Sequence, residues 1–253
     1  EIYMRGFPVP DPVAFTVFGI DIMWYAIMIT TGMIVGVVLS CRRAPLHGLD
    51  SDRLLNIVII TVPVAVVGAR LYYVVFNWSD YAGDLMKMIN IRGGGLAIHG
   101  GLIFGTLAVV VLCHVWKIDT LELLDLIAPG VAVAQAIGRW GNYFNSEAHG
   151  GPADLPWSVN INGVLCHPTF LYESVWCLIL CFVLIRVDKK RKFRGQILLM
   201  YCILYSVERF FVEGLRTDSL MIGPFRQAQV LSLSVIAAGI ILYVILRHRA
   251  AEK

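Results

Sequence analysis

Seven stretches of this chain are apolar over roughly the 20 residues that a helix needs to cross a hydrocarbon core about 30 Å thick. They lie at about 15 to 40, 54 to 76, 96 to 116, 119 to 137, 168 to 187, 195 to 212 and 228 to 247. Lipid offers no hydrogen bonds, so a spanning segment must satisfy its own backbone, and runs of this length do so as helices. The chain has 253 residues, of which 58% are hydrophobic and 15% charged, against about 25% charged in soluble domains. The fold expected is all-α and polytopic: one integral membrane domain over 1–253 with about seven transmembrane helices. Pro63 and Pro129 fall inside helical runs, where neighbours can satisfy the freed backbone groups. The first run is too long for a cleavable leader and lacks a basic flank, so it is expected to stay in the mature protein.

Alternate loops differ in Lys/Arg content, which sets orientation. Arg42, Arg43, Arg53, Lys117, Arg186, the basic cluster from Lys189 to Arg194, Arg247, Arg249 and Lys253 hold thirteen of the 21 basic residues on one side. That side is expected to be cytoplasmic, with the N-terminus outside and the C-terminus inside. Arg5, Lys87, Arg92, Arg139, Arg216 and Arg226 fall on the other side, while Arg70 and Arg209 lie within or at the ends of spans. The net charge of +3 gives no support to a nucleic-acid partner. Four of the six cysteines lie within spans and Cys41 at a cytoplasmic end, leaving Cys166 alone outside, so a structural disulfide is not expected.

Charged groups inside spans cost about 2.5 to 3.5 kcal/mol and mark an interior or a cavity. His99 enters the third span within its first residues, and Arg209 lies about fourteen residues up the sixth, roughly 21 Å from its cytoplasmic start. Arg139 follows the fourth span; His167, Tyr172 and Glu173 open the fifth; Asp21 and Tyr25 sit in the outer third of the first. Each has a structural alternative: His99 as a hydrogen-bonded packing residue, Gly101 and Gly105 as a helix-packing pair, Arg209, Glu213 and Arg216 as partners on one helical face, Arg139 as an interfacial anchor. Glu122 and Asp125, lower in the fourth span, are read as structural partners. Independent structural uses would scatter over both leaflets, whereas these groups share one level. Two guanidiniums beside a histidine suit recognition of a phosphate next to a proton acceptor, and the phosphate at that depth belongs to a phospholipid. No H-E-x-x-H or paired-cysteine spacing points to a metal, and the glycines of Arg92-Gly93-Gly94-Gly95 lack the context of a nucleotide loop.

The segment Gly138-Arg139-Trp140-Gly141-Asn142-Tyr143-Phe144-Asn145-Ser146-Glu147-Ala148-His149-Gly150 resembles the signature of the prolipoprotein diacylglyceryl transferase family, G-R-x-G-N-F-x-N-x-E-x-x-G, with Tyr143 where phenylalanine is usual. The resemblance extends to Trp24-Tyr25, His99-Gly100-Gly101, Asp125, the run from His167 to Glu173, the run from Arg209 to Arg216, and Gln229-Val230-Leu231-Ser232. It implies seven helices with a small extracytoplasmic head, here 138–166, and an arm, here 77–95. It also implies transfer of the diacylglyceryl group of phosphatidylglycerol to the lipobox cysteine of a preprolipoprotein signal peptide, in the bacterial cytoplasmic membrane, with the site towards the outer leaflet and membrane lipids around it. No cofactor or metal is implied. His99 is expected as the base for the thiol, with Arg139 and Arg209 on the departing phosphate. Tyr25, Gly100, Gly101, Gly138, Asn142, Asn145, Glu147, Gly150, His167, Tyr172, Glu213 and Arg216 form the expected substrate-binding set. Glu213 and Glu147 would hold the guanidiniums or headgroup hydroxyls, and Gly138, Gly141 and Gly150 would make tight turns. A transporter or flippase using the same arginines would want a midplane site, and an intramembrane protease would need a catalytic pairing that this chain lacks.

Overall fold

The computed structural model describes residues 6–91 and 94–252. Arg5, Arg92, Gly93 and Lys253, which entered the charge bias and the glycine run, lie outside the described residues. Seven long helices are present among them: α1 (Trp24–Arg43), α2 (Ser51–Phe76), α3 (Ile98–Trp116), α4 (Thr120–Phe144), α5 (Thr169–Asp188), α6 (Gln196–Leu215) and α7 (Gln227–Ala251). All but α6 are long and apolar enough to cross a membrane. Helix α6 carries Glu208, Arg209 and Glu213 in its C-terminal half, and those charges set it apart. The chain is thus an all-α multi-pass membrane protein.

The first apolar run divides differently from the sequence reading. Residues from 13 to 23 form a hairpin of β2 (Val13–Val17) and β3 (Ile20–Met23), following the two-residue strand β1 (Phe7–Pro8), and the helix starts only at Trp24. Phe18 and Gly19 between the strands both have positive φ, 50° and 77°, the backbone of a tight turn whose twist suits a two-residue hairpin. Asp21 is therefore not within a span; it accepts a hydrogen bond from the Thr16 hydroxyl at 2.6 Å. Hydropathy alone does not separate an apolar strand from the start of an apolar helix. Further along, β4 (Val159–Ile161) and β5 (Val164–Cys166) form a hairpin, and β1 joins it in parallel through Phe7 opposite Val159. A last short pair, β6 (Met221–Ile222) and β7 (Phe225–Arg226), precedes α7.

The described chain forms two compact units, one from Glu1–Ser40 with Leu124–Lys253 and the other from Cys41–Leu123. In the first, Ala128, Ala132, Leu180, Cys181, Leu184 and Ile197 make a buried cluster joining α4, α5 and α6, and α7 packs on α6. Helices α1 and α4 meet backbone to backbone, since a Cβ at Gly36 would lie 2.5 Å from the Gly130 carbonyl oxygen. In the second unit α2 packs on α3, and Glu122 lies 2.7 Å from the Nδ1 of His47.

Asp125 shows why a carboxylate is tolerated in this interior. It is fully buried and accepts from the backbone N–H groups of Gly195 at 2.7 Å and Leu198 at 2.8 Å, with Arg191 3.3 Å away. Those amides are among the unpaired donors at the start of α6, and the negative charge faces the positive end of the helix. The structural role read from the sequence for Asp125 and Glu122 matches these partners. Asp125→Ala leaves both amides without that acceptor, at about 1 to 3 kcal/mol each. Its expected outcome is a clearly lowered unfolding temperature in detergent, with Asp125→Asn intermediate; an unchanged midpoint for Asp125→Ala would show that the start of α6 does not depend on this carboxylate.

Candidate active site

Helix α4 runs to Phe144, past the expected end of the fourth span. The first half of the Gly138–Gly150 motif is therefore helical, and Gly138 and Gly141 do not make turns. A Cβ on Gly141 would meet the Tyr25 ring at 2.8 Å, and one on Gly138 would meet Ile29 at 3.1 Å. These glycines are smooth patches that let α1 approach α4, bringing Tyr25 against the motif while Trp24 stacks on Phe144 at 5.0 Å. The turning is done after the helix by Ser146 and Ala148, with φ of 54° and 55°. Both asparagines point at one acceptor: the side-chain amides of Asn142 and Asn145 lie 3.0 and 3.4 Å from Glu147 Oε1. Glu147 is thus bonded by amides, and no guanidinium bond to it is seen among the described residues.

From this turn the chain is fastened across its own unit. Gly150 N–H donates to the His167 carbonyl at 2.9 Å, His167 N–H to the Gly151 carbonyl at 3.0 Å, and Gly151 N–H to the Leu215 carbonyl at 2.9 Å. The Thr169 hydroxyl bonds the Ala148 carbonyl. Gly150 sits where a Cβ would strike the His167 side chain at 2.6 Å, so close packing requires glycine here. His167 Nδ1 lies 3.2 Å from the Tyr172 hydroxyl, which also accepts from the Trp157 indole at 3.1 Å. Arg216 grips Asp218 with two bonds of 2.9 and 2.7 Å. That hydrogen bond holds the Asp218 carboxyl below its usual range, and the same contact raises the Arg216 guanidinium. Arg216 therefore pairs with Asp218 and not with Glu213, while Arg226 bonds the carbonyls of Glu213 and Arg216.

The centre of the unit is a buried charge cluster drawn from three helices. Arg139 of α4 and Arg209 of α6 share Glu173 of α5: Arg209 Nη1 donates to Oε1 at 2.9 Å, and Arg139 Nη1 lies 3.3 Å from Oε2. Arg139 also donates to the Tyr205 hydroxyl at 2.9 Å, and Arg209 to Glu213 at 2.6 Å. The Glu173 side chain is only 1% exposed, whereas the guanidinium side chains keep 20% and 21%. The carboxylate is sealed behind and the two forks retain an open side. A third carboxylate, Glu208, is buried beside them, with neither oxygen hydrogen-bonded among the described residues.

His99, Gly100 and Gly101 belong to the second unit, in the first turn of α3. The His99 ring faces Tyr72 of α2 with centroids 6.2 Å apart. Gly100 is buried against Gly68 and Tyr72, and Gly101 lies over Ala65 and Ala69. Of the expected set, Arg139, Arg209 and Glu213 form one connected cluster, Asn142, Asn145 and Glu147 a second, and Gly150, His167 and Tyr172 a third. Three members of the central cluster were given no role from the sequence, Glu208 among them. Glu173 lies in a quoted motif yet was not chosen as the bridge, and Tyr205, one turn before Arg209, carried no signal of its own.

Two guanidiniums facing three carboxylates predict opposite effects for two similar substitutions. Glu173→Gln removes the shared partner of both arginines, and breaking a buried pair typically costs about 3 to 5 kcal/mol. Glu208→Gln removes a buried carboxylate that has no hydrogen-bond partner among the described residues and should leave stability within about 1 kcal/mol of the parent or raise it. Chemical denaturation in micelles measures both; equal losses would mean that Glu208 is as well compensated as Glu173.

Residues 12–245 match the family model of prolipoprotein diacylglyceryl transferase. Over 94% of its length the chain is 52% identical to the phosphatidylglycerol--prolipoprotein diacylglyceryl transferase of Clostridioides difficile (strain 630), covering 96% of that protein. Proteins of the same name from Finegoldia magna and Clostridium novyi (strain NT) are 50% and 45% identical, each over 92% of this chain and 95% of their own length. With the signature, the long apolar helices and a match of this extent, the chain belongs to the prolipoprotein diacylglyceryl transferase family.

Proposed function

We propose that this chain transfers the diacylglyceryl group of phosphatidylglycerol to the thiol of the lipobox cysteine in a preprolipoprotein signal peptide. The thiol sulfur bonds to the glycerol carbon that carries the phosphate, the carbon–oxygen bond breaks, and the electron pair leaves with glycerol phosphate. The thiol proton passes to a base, for which His99 is the candidate. A cysteine is only a few per cent thiolate at neutral pH, so a placed base is worth about 10²- to 10⁴-fold.

The observation that carries this reading is the Glu173 bridge. It holds two guanidiniums side by side with their open faces available, which is what a phosphate gathering negative charge needs. Arg139 and Arg209 are the proposed phosphate groups, with Glu173, Glu213 and Tyr205 setting their directions. Tyr25, Asn142, Asn145 and Glu147 line the approach for the glycerol headgroup, while Gly150 lets the loop close on His167 and Gly100 and Gly101 let α3 lie close to α2 beside His99. His167, Tyr172 and Arg216 hold the loop and helix end around them. Residues 1–253 work as one integral membrane domain in the bacterial cytoplasmic membrane, with arm 77–95 and head 138–166 outside and the site towards the outer leaflet.

Purified protein incubated with phosphatidylglycerol and a lipobox peptide should give a peptide mass increased by one diacylglyceryl group. Headgroup binding or lipid movement without that mass would favour a transporter. Arg139→Lys keeps the charge and loses the fork, so turnover should fall by about 10²- to 10³-fold, the usual loss for one such donor; near-normal turnover in folded protein would remove Arg139 from the site. Orientation has its own check. Val164 is exposed near the tip of the β4–β5 hairpin, and a thiol reagent that cannot cross the membrane should label Val164→Cys but not Lys190→Cys in intact cells. The reverse pattern would place the site on the cytoplasmic side.

A further inference from the structure

Arg70 is a buried cation that this reading leaves unused. It sits in the last third of α2, is 8% exposed, and has no carboxylate partner among the described residues. Its guanidinium is instead spent on main-chain carbonyls of the following segment. Nε donates to Met88 at 2.8 Å, Nη2 to Lys87 at 2.7 Å, and Nη1 to both Gly94 and Gly95 at 2.9 Å. Four of five N–H donors are thus committed, and the group also lies 5.0 Å from the Tyr81 ring and 6.0 Å from that of Tyr73. With one N–H left, it cannot offer a phosphate the paired donors that make arginine useful there.

The chain fastened by Arg70 leads directly into α3. Gly94 and Gly95 have φ of 85° and 77°, and a Cβ on Gly95 would collide with Arg70 Nη1 and meet the Tyr73 ring at 2.9 Å. Two residues on, Ala97 N–H donates to the Ala69 carbonyl at 3.0 Å. His99 then faces Tyr72, and Gly100 packs on the backbone of Gly68 and Ala69. Residues 94–100 are therefore laid along residues 68–73, and Arg70 supplies the charged contacts of that seam. Short helix Leu85–Ile89 has no buried side chain of its own, so the Arg70 bonds to Lys87 and Met88 are its tie to α2, beside the local contacts of Lys87 with Asp80 and Tyr81.

We infer that Arg70 is a positioning residue for the transferase reaction, fixing the backbone at residues 87–88 and 94–95 and through the latter the placement of His99. This rests on the reading of His99 as the proton acceptor. Positioning by Arg70 makes a different kinetic mark from phosphate binding: Arg70→Gln should lower kcat at least tenfold while KM for phosphatidylglycerol stays within about twofold. Lysine reaches the same carbonyls as a point charge, so Arg70→Lys should recover part of the loss. The decisive experiment is a double-mutant cycle with His99→Gln, scored by mass spectrometry of lipidated peptide. In the His99→Gln background Arg70→Gln should cost little further, because the group it positions is gone. If Arg70→Gln does not fold, Gly95→Ala disturbs the same contact with the arginine retained and should show the same kcat loss and the same non-additivity.

A raised KM with unchanged kcat would make Arg70 a lipid ligand and overturn the inference. So would a full, additive loss in the His99→Gln background, or wild-type turnover in folded Arg70→Gln. Wild-type turnover in His99→Gln alone would instead refute the choice of base, and with it the route by which Arg70 acts.

Discussion

A guanidinium in a membrane interior is tolerable only if the protein replaces the water it has lost, and the Glu173 carboxylate does this for two of them at once. It draws Arg139 from α4 and Arg209 from α6 towards α5. The arrangement is conditional: removing the bridge would leave two guanidiniums side by side without their shared counter-charge, and even one such cation is a costly and rare membrane residue. Tyr205 and Glu213 occupy part of each fork, which fixes the direction in which the remaining N–H groups point.

A different device fixes a further guanidinium. Among the described residues Arg70 meets no carboxylate, and its charge is solvated by dipoles, four carbonyl bonds and two ring faces. A carboxylate would bind the cation through one flexible side chain; carbonyls from four residues bind it through the backbone, so the contact shapes the chain. In the proposed reading the two units use arginine for opposite ends, one to present a charge and the other to hold a loop.

The helices were legible because span length is set by bilayer thickness, and six of the seven meet that requirement by composition alone. The seventh, α6, was legible as a span only by tolerating the charges that make it interesting. What hydropathy misread were the places where another force decides. At residues 13–23 a two-residue turn with left-handed backbone makes strands from residues as apolar as a helix start. At 138–144 the glycines suggested turns, yet helical hydrogen bonding continues because α1 needs small residues to approach. The choice of Arg139 and Arg209 rested on depth and charge, which sequence carries. Glu173 as their shared partner depends on three helices converging, and no spacing within one segment encodes that.

The pre-paired state of the arginines bears on how the proposed chemistry is divided between binding and catalysis. A phosphodiester arriving at Arg139 and Arg209 competes with Glu173, Glu213 and Tyr205 for N–H groups already in use, and it arrives with one negative charge shared over two oxygens. Ground-state binding is therefore held back. As the carbon–oxygen bond breaks, the departing phosphate gains charge and becomes the better acceptor, so the same donors are worth more at that moment. Interactions that strengthen only in the transition state raise kcat, while uniform binding lowers KM without gain in rate. A pair of free arginines would grip every anionic lipid in the leaflet, whereas a pair held by carboxylates rewards the one whose phosphate is leaving.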